Sequence, residues 1–287
     1  MNNLSATWMF TNQNNNKINS YFMQLALNQA KKNLGNTKNN PSVGCVITKN
    51  GKLMSIGNTG FGGRPHAEVN AINYSKENLK KANMYITLEP CSHYGKTPPC
   101  TKAIIKNKIS KVFFSVKDPD IRSFNRSFKV LRKHGIKVDY GFLSSRLNEF
   151  YKSYFIYKKN YNLPFVTSKL AVSKDYFTVS KKSRWITNGL SRGRVHLIRS
   201  FHDCVITSSK TIISDNPLLT CRIPGLEKKS PTRIIIDKYL STPINSKVIS
   251  TSKKYKTIIF YSIKNKSKIS LYKKKKIKLY NAKFSEP

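Results

Sequence analysis

Apolar and polar positions along the first half of the chain follow two different periods. Apolar residues at helical spacing predict an amphipathic helix over residues 21–34. A β-rich run at 43–48, followed by the turn Asn50-Gly51, predicts a β-hairpin that continues to residue 57. The pattern then alternates between helix and strand. These further elements are helix 67–74, strand 84–88, helix 101–107, strand 111–116, helix 128–133 and strand 136–140.

The second half of the chain shows a similar alternation after Pro164. It predicts strand 165–171, helix 191–201, and strands 203–208, 233–237, 257–261 and 276–280. Alternating strands and helices indicate an α/β architecture in both halves. The expected organisation is therefore a polar N-terminal tail at 1–20, a first domain at 21–145, a linker at 146–164 and a second domain at 165–287.

The composition indicates folded cores, and it bears on how the high positive charge is interpreted. The 287 residues are 39% apolar and include 15 Phe and 15 Tyr, which argues against wholesale disorder. The formal net charge of +40 at first suggests a nucleic-acid partner. Lysine, however, far outnumbers arginine and is spread over the whole length, as a general compositional bias would produce. We therefore do not expect nucleic acid as the partner.

The cysteine count and the absence of long apolar runs bear on the compartment. Five cysteines are an odd number, and two of them stand in a metal-ligand context, which favours a reducing compartment over a disulfide framework. No run of 18 apolar residues predicts a membrane span, and residues 1–20 lack the apolar core of a signal peptide. We predict a cytoplasmic protein, and leave open whether it forms a homo-oligomer.

One group of residues carries a recognisable chemistry. His66, Cys91 and Cys100 supply one imidazole and two thiolates, enough for a tetrahedral zinc ion that keeps its fourth position for water. Glu68 follows the histidine by two residues and can serve as the catalytic acid and base without binding the metal. H-x-E followed by P-C is typical of zinc-dependent deaminases that act on amino-substituted heterocycles. The neighbouring His93 and Cys45 are interpreted as a structural or substrate-side residue and a core residue.

Three segments make the resemblance more specific. Residues 40–46, 65–71 and 87–100 closely resemble the bifunctional riboflavin-biosynthesis deaminase–reductase family, which carries a long P-C-S-H-x-G-K-T-P-P-C stretch where nucleoside and tRNA deaminases have C-x-x-C. The resemblance implies a cytidine-deaminase-like α/β/α sandwich. It also implies deamination of 2,5-diamino-6-(5-phosphoribosylamino)pyrimidin-4(3H)-one to 5-amino-6-(5-phosphoribosylamino)uracil, with Asn40 and Lys96 holding this phosphorylated pyrimidine. The family usually has His where Thr59 stands and Asn where Asp120 stands.

The second half resembles the reductase domain of the same family, which has a dihydrofolate-reductase-like fold and uses NADPH to reduce the ribosyl group to ribityl. The matching segments are 169–171, 183–187 and 203–222. The resemblance implies two sets of contacts. Those to NADPH are Trp185, Thr211 and Asp215, and those to the phosphorylated substrate are Ser183, Arg199, Leu219 and Arg222. An arginine can bind phosphate in a bidentate manner, and an indole presents a flat face to a ring. The alternative interpretation of Trp185 is a core aromatic.

The family's reductase continues well beyond the position of Pro287 and includes an E-G-G-x-x-L segment, whereas no glycine pair occurs after Arg222. The resemblance therefore implies an incomplete reductase domain, with NADPH binding and activity left open. Two other functions compete with this interpretation. The first is a nucleic-acid base deaminase such as a tRNA deaminase, suggested by the charge but opposed by the long insert and the second domain. The second is a zinc-stabilised scaffold that binds partners through its basic surface.

Overall fold

The structure is a computed structural model that describes residues 3–159, 163–178 and 185–284, with side chains described from residue 15 onward. The chain divides into two compact units, Met1–Thr167 and Ser168–Pro287. Within the described residues, no helix combines the length and the apolar character that crossing a membrane would require.

The first unit is built on a five-stranded mixed sheet with the order β2-β1-β3-β4-β5. Strand β1 is antiparallel to both of its neighbours, whereas β3, β4 and β5 run parallel to one another. The strands are β1 (Gly44–Lys49), β2 (Lys52–Asn58), β3 (Asn83–Leu88), β4 (Lys111–Val116) and β5 (Lys137–Tyr140). The helices of this unit are α1 (Asn3–Lys32), α2 (Ala67–Tyr74), α3 (Cys100–Lys106), α4 (Arg126–Lys133), α5 (Ser144–Phe150) and α6 (Lys152–Lys159).

The central strands β3 and β4 are buried along almost their whole length. Since successive side chains of a strand point to opposite sides of the sheet, both faces of the sheet must be covered. On one face Tyr85 and Phe113 stack at 4.7 Å between ring centroids and pack with Met23 of α1. On the other face Ile86 and Phe114 belong to the larger core cluster. Helices on both faces of a sheet make an α/β/α sandwich, as predicted.

Two glycines allow helices to approach this sheet directly. A Cβ atom on Gly44 would lie 1.9 Å from the carbonyl oxygen of Ala26 in α1. A Cβ atom on Gly57 would lie 2.3 Å from the carbonyl oxygen of Ala67, the first residue of α2. Since no other residue lacks the Cβ atom, glycine is required at both contacts. The second contact holds the beginning of α2 against the sheet.

The second unit contains a four-stranded parallel sheet with the order β6-β7-β8-β9. Its strands are β6 (Cys204–Ser208), β7 (Thr232–Ile236), β8 (Thr257–Tyr261) and β9 (Lys278–Asn281). Its helices are α7 (Gly189–Ser200), α8 (Ser209–Asp215), α9 (Lys247–Ser250) and α10 (Lys266–Lys274). Ile235 and Ile259 of the central strands form its core with Val248 of α9 and Tyr272 of α10. The predicted α/β class of both halves is confirmed.

Three predictions about the organisation of the chain differ from the structure. Helix α1 begins at Asn3, inside the segment 1–20 that was expected to be a polar tail, because a nucleated helix gains a hydrogen bond for each added residue and can extend into polar sequence. The segment 146–164, expected to be a helix end followed by a linker, contains the end of α5 and also the whole of a further helix, α6. Its Leu147 and Tyr151 are buried in the core of the first unit.

The predicted strand 165–171 is wrong. The structure assigns no strand between residues 163 and 178, and Val166 and Leu170 are 73% and 74% exposed. Its β-rich residues predict an extended chain, but a strand exists only where a second chain segment completes the hydrogen-bond ladder. The sequence of residues 165–171 alone does not show whether another segment of the chain lies beside them.

Candidate active site

Two connections at one edge of the first sheet, between β2 and α2 and between β3 and α3, bring the candidate metal ligands together. His66 is the residue that precedes α2, Cys91 follows β3 by three residues, and Cys100 is the first residue of α3. The ligands therefore lie at the starts of two helices and at the end of a central strand. Packing of α2 against the sheet through Gly57 fixes the position of the histidine.

The geometry of these three side chains fits a zinc ion. The Nδ1 atom of His66 lies 3.3 Å from Sγ of Cys100 and 3.6 Å from Sγ of Cys91. A tetrahedral zinc ion with usual bond lengths places a nitrogen and a sulfur ligand about 3.6 Å apart. All three ligand atoms lie within 4.8 Å of one another, and within the described part of the chain this is the group that could hold a metal. Two sulfurs and an imidazole are ligands that zinc prefers.

Electrostatics at this cluster favour one thiolate even without a metal. A hydrogen bond from the Cys100 thiol is the main reason why the pKa of Cys91 falls to about 4, and the backbone N–H of Cys100 also donates to that sulfur at 3.2 Å. The pKa of Cys100 is raised well above its usual value by the adjacent Cys91 sulfur and by burial. The hydrogen bond to Cys91 raises the pKa of His66. The sulfur and nitrogen atoms therefore share protons that metal binding would release.

Glu68 lies beside this cluster in the first turn of α2. It is 3% exposed, and burial is the main reason why its pKa is raised. Its carboxylate is also within hydrogen-bonding reach of Cys100. Cys45 is fully buried in the core, and burial raises the pKa of its thiol, in agreement with a packing role.

The cluster opens into a cavity of about 370 Å³. Its lining comes from the loops before β1 and α2, the insert between the two cysteines, the segment after β4 and helix α6. Asn40 and Lys96, the predicted substrate residues, both line it, and the side-chain amide of Asn40 donates to the carbonyl of Gly63 at 2.9 Å. Thr59 lines it too, although its hydroxyl accepts a hydrogen bond from the Val43 N–H at 2.8 Å.

A second polar cluster in the cavity escaped the sequence analysis. Lys158 of α6 and Arg122 make ion pairs with Asp120 at 3.0 Å and 2.6 Å. The hydroxyl of Tyr154, also on α6, donates to Asp118 at 3.0 Å. No sequence signal pointed to Tyr154 and Lys158, because they belong to the segment expected to be a linker. The Asp120 that replaces the family's asparagine is thus neutralised by two cations.

Burial and ion pairing set the ionisation of the two aspartates in opposite directions. Burial raises the pKa of Asp118 to about 6, against the opposing effect of its hydrogen bonds. The hydrogen bond from Arg122 holds the pKa of Asp120 well below its usual range.

Glu89, two residues before Cys91, ties the ligand loop to the start of α4. Its carboxylate accepts hydrogen bonds from the hydroxyl of Ser127 at 2.6 Å and from the N–H of Asn125 at 3.2 Å. His93 in the insert lies 3.2 Å from the hydroxyl of Ser123 in the same turn. The insert and the turn before α4 are therefore linked at the cavity.

In the second unit, the residues predicted to contact NADPH lie on two elements. Thr211 and Asp215 are four residues apart on α8, directly after β6. Trp185 precedes α7, is 56% exposed, and packs against the guanidinium of Arg192 at 4.8 Å. An exposed indole and a hydroxyl at the carboxyl end of a parallel strand suit a dinucleotide ring and its sugar. How these residues contact NADPH remains a prediction.

The residues predicted to bind the phosphorylated substrate are only partly gathered. Arg199 donates to the carbonyl of Thr220 at 3.2 Å, and the ring Nδ1 of His196 lies 3.0 Å from the same oxygen. Burial lowers the pKa of Arg199, and the positive charge of Arg222 lowers it further. Two arginines, Arg199 and Arg222, thus lie close together, which suits an anionic ligand. Leu219 is buried beside it, and Ser183 lies outside the described residues. His196 was not identified from the sequence.

A buried arginine organises the loop that carries Leu219. Arg233 of β7 is 0% exposed, and its five N–H donors are matched by five hydrogen bonds to uncharged oxygens. These acceptors are the carbonyls of Leu218 and Tyr255 and the hydroxyls of Thr251 and Thr257, the last of which accepts twice. Burial lowers the pKa of Arg233 to about 10.

The fold and the site define the first unit as a zinc-binding deaminase domain, and the second unit as an attached α/β domain with a parallel sheet. The family model described as the cytidine and deoxycytidylate deaminase zinc-binding region matches residues 16–116, and the model of the RibD C-terminal domain matches residues 164–283. The RibD C-terminal domain implies NADPH as the cofactor of the second unit.

Similarity to individual known proteins narrows the class of deaminase to one family. The chain is 39% identical over 237 residues to the riboflavin biosynthesis protein RibD of Aquifex aeolicus, covering 82% of this chain and 66% of the relative. It is 36% identical over 230 residues to RibD of Escherichia coli strain K12, covering 76% and 62%. A solved structure from Thermotoga maritima, described as a diaminohydroxyphosphoribosylaminopyrimidine deaminase/5-amino-6-(5-phosphoribosylamino)uracil reductase, matches with a TM-score of 0.79 at 30% identity. That match covers 93% of this chain and 82% of the other.

The chain belongs to the RibD family of riboflavin biosynthesis proteins, as its motifs predicted. It spans 66% of the length of the Aquifex aeolicus relative and 62% of the length of the Escherichia coli relative.

Proposed function

We propose that the first unit catalyses the zinc-dependent hydrolytic deamination of 2,5-diamino-6-(5-phosphoribosylamino)pyrimidin-4(3H)-one to 5-amino-6-(5-phosphoribosylamino)uracil. The observation that carries this proposal is the cluster of His66, Cys91 and Cys100, with Glu68 beside it, at the base of a cavity. The cavity volume of about 370 Å³ lies within the range of small-molecule sites, which supports a single nucleotide-sized substrate.

His66, Cys91 and Cys100 would hold the zinc ion, which when bound lowers the pKa of water and supplies a nucleophile at neutral pH. The carboxylate of Glu68 takes one proton from the attacking water and gives it to the ring nitrogen. It then takes the second proton from the added hydroxyl and gives it to the departing amine. The C–N bond to the amino group breaks, a C–O bond forms, and ammonia leaves. Since Glu68 is buried, bulk water does not compete for its protons.

A second candidate function belongs to the second unit, namely reduction of the ribosyl group to ribityl. NADPH would supply the hydride for this step. The gathering of Arg199 with His196 at the carbonyl of Thr220, close to the charge of Arg222, favours binding of a phosphorylated sugar. We include in this proposal the predicted contacts to NADPH, which are Trp185, Thr211 and Asp215. We also propose that the protein is cytoplasmic.

The test uses the full chain loaded with zinc. The purified protein is incubated with the phosphorylated diaminopyrimidine, with and without NADPH, and the products are identified by mass spectrometry together with an ammonia assay. We expect ammonia and the uracil product without NADPH. A ribityl product with NADPH would support the second candidate function, and its absence would contradict it.

The same preparation tests the competing deaminase function. Incubation with tRNA, followed by nucleoside analysis, should yield no inosine. Inosine formation without any reaction of the diaminopyrimidine would overturn the proposal in favour of a nucleic-acid deaminase.

A further inference from the structure

Four cations line the cavity of the first unit, and they differ in their partners. They are Arg64, Lys96, Arg122 and Lys158. Arg122 and Lys158 are committed to Asp120 by ion pairs. Across the described part of the chain, neither Arg64 nor Lys96 makes an ion pair with a carboxylate. The positive charge that the cavity can offer to an anionic ligand therefore comes from Arg64 and Lys96.

Arg64 is held in the cavity by the insert between the two cysteine ligands. Its Nη1 atom donates to the hydroxyl of Thr97. A Cβ atom built on Gly95 would lie 3.7 Å from Nη2, so that the backbone of the insert lies against the guanidinium. Nη1 is also 3.5 Å from the Nε2 atom of His66. The guanidinium is thus fixed between the insert and the ring of a metal ligand.

The chemistry of this position suits a phosphate. A guanidinium carries five N–H donors in a fixed fork, and Thr97 accepts a hydrogen bond from one of its nitrogens. Bidentate contacts to phosphate are the interaction that arginine makes best, whereas a lysine such as Lys96 supplies a point charge. On the proposed substrate, the phosphate is separated from the reacting carbon by a ring and a sugar. The guanidinium of Arg64 lines the cavity on the side of the insert, so a phosphate directed towards the insert would meet it.

We propose that Arg64 binds the 5′-phosphate of the deaminase substrate and, together with Lys96, makes the first unit select phosphorylated over unphosphorylated pyrimidines. This inference rests on the proposed deaminase function and adds a specificity-determining residue to it. It concerns a residue next to the metal-binding motif rather than within it.

The first experiment compares two compounds on the zinc-loaded full chain, namely the phosphorylated diaminopyrimidine and the same riboside without its phosphate. In Arg64→Gln, we expect kcat/KM for the phosphorylated compound to fall by about 10- to 100-fold, mostly through KM, as loss of a charged hydrogen bond predicts. The value for the riboside should change little. Arg64→Lys should recover part of the loss, and Arg146→Gln, which removes an exposed arginine outside the cavity, should match the wild type. Equal losses on both compounds, or no loss on either, would overturn the inference.

The second experiment measures binding without turnover, so that the two proposals can fail separately. Isothermal titration calorimetry with ribose 5-phosphate is carried out on proteins that all carry Arg222→Gln, so that the candidate phosphate site of the second unit contributes little. Binding should be tighter when Arg64 is intact, alone or with Arg146→Gln, than with Arg64→Gln. If the wild type deaminates neither compound but this difference in binding is found, the deaminase proposal fails and the phosphate site stands. If ribose 5-phosphate binds with Arg64→Gln as well as without it, the role of Arg64 is wrong whatever the activity.

Discussion

The functional residues of the two units differ in their burial. In the first unit, Glu68 and Cys100 are almost completely buried, and neighbouring groups shift their pKa values. In the second unit, three of the predicted cofactor and substrate residues, Trp185, Asp215 and Arg222, are exposed, whereas Arg199 is half-buried. Burial restricts each group to a few partners, so that the chemistry of the first site can be derived from distances within the chain. Exposed groups have no such fixed partners within the chain, so their arrangement depends on the ligand that they bind.

The most deeply buried cation of the second unit serves its framework. Arg233 satisfies all its donors with uncharged oxygens and holds the loop before Leu219. The cost of burying this charge is offset only by hydrogen bonds, since within the part of the chain that the structure describes no carboxylate pairs with it. Burial therefore positions reactive groups in the first unit and supports a loop in the second.

The largest effect should come from removing the acid and base of the first site. We expect Glu68→Gln to lower kcat for deamination by about 10²- to 10⁴-fold, because the amide cannot take up and return the proton. Its zinc content, measured by mass spectrometry of metals, should stay at the wild-type level. A variant that keeps wild-type activity would contradict the derived role and favour a scaffold.

Removal of the metal should lower the stability of the first unit and leave that of the second unit unchanged. Zinc that binds only the folded first unit adds about 4 kcal/mol when its free concentration is 1,000 times the dissociation constant. Chelation should therefore raise amide hydrogen exchange in β1 and β3 and leave β7 and β8 unchanged. Cys91→Ser should lose this zinc-dependent protection, whereas Cys204→Ser, an exposed cysteine outside the cluster, should keep it. Equal responses of both sheets would refute the comparison.

The buried arginine provides the matching test in the second unit. Arg233→Met keeps the approximate volume but leaves the carbonyls of Leu218 and Tyr255 without their donors, at about 1–3 kcal/mol for each. We expect a loss of about 3 kcal/mol, seen as faster hydrogen exchange in β7 and β8. Arg194→Met on the exposed surface of α7 is the control and should have no comparable effect. A stability equal to that of the wild type would show that water replaces the missing donors.

The smallest predicted effect is a pH dependence that arises in the first unit. The pKa of Asp118 is about 6 in the folded chain and close to its usual 3.8 when unfolded, so the folded state retains the proton longer. The stability that this group contributes is full below about pH 4 and is lost as the pH rises through 6. Asp118→Asn should therefore raise the free energy of unfolding by at most about 3 kcal/mol at pH 7 and by much less at pH 4.

Urea unfolding of the wild type and Asp118→Asn at a series of pH values measures this difference. Comparing the two at each pH cancels the loss of metal in acid. Asp139→Asn, at an exposed site of the same unit, corrects for the general effect of removing one negative charge. A difference that stays constant from pH 4 to pH 7 would show that the burial of Asp118 does not control its ionisation.

Much of the architecture followed from the sequence because its determinants are local. Residue periodicity reports which side of an element is buried, and this was enough for the hairpin of β1 and β2 and for the parallel strands β7 and β8. The chemistry of the metal site also followed, because a histidine, two cysteines and a nearby glutamate form a chemically distinctive set. Their residue types define what they can bind before any distance is known.

Tertiary structure decided the features that depend on segments far apart in the chain. Lys158 meets Asp120 across 38 positions of sequence, and Tyr154 meets Asp118 across 36, from a helix whose composition resembled a linker. The run 165–171 has the residues of a strand but no partner in the described structure. Arg64 acquires its candidate role only because the insert folds against it. The amino-acid pattern encodes burial and propensity at each position, whereas ion pairs, strand partners and cavity walls depend on which distant segments the packed core brings into contact.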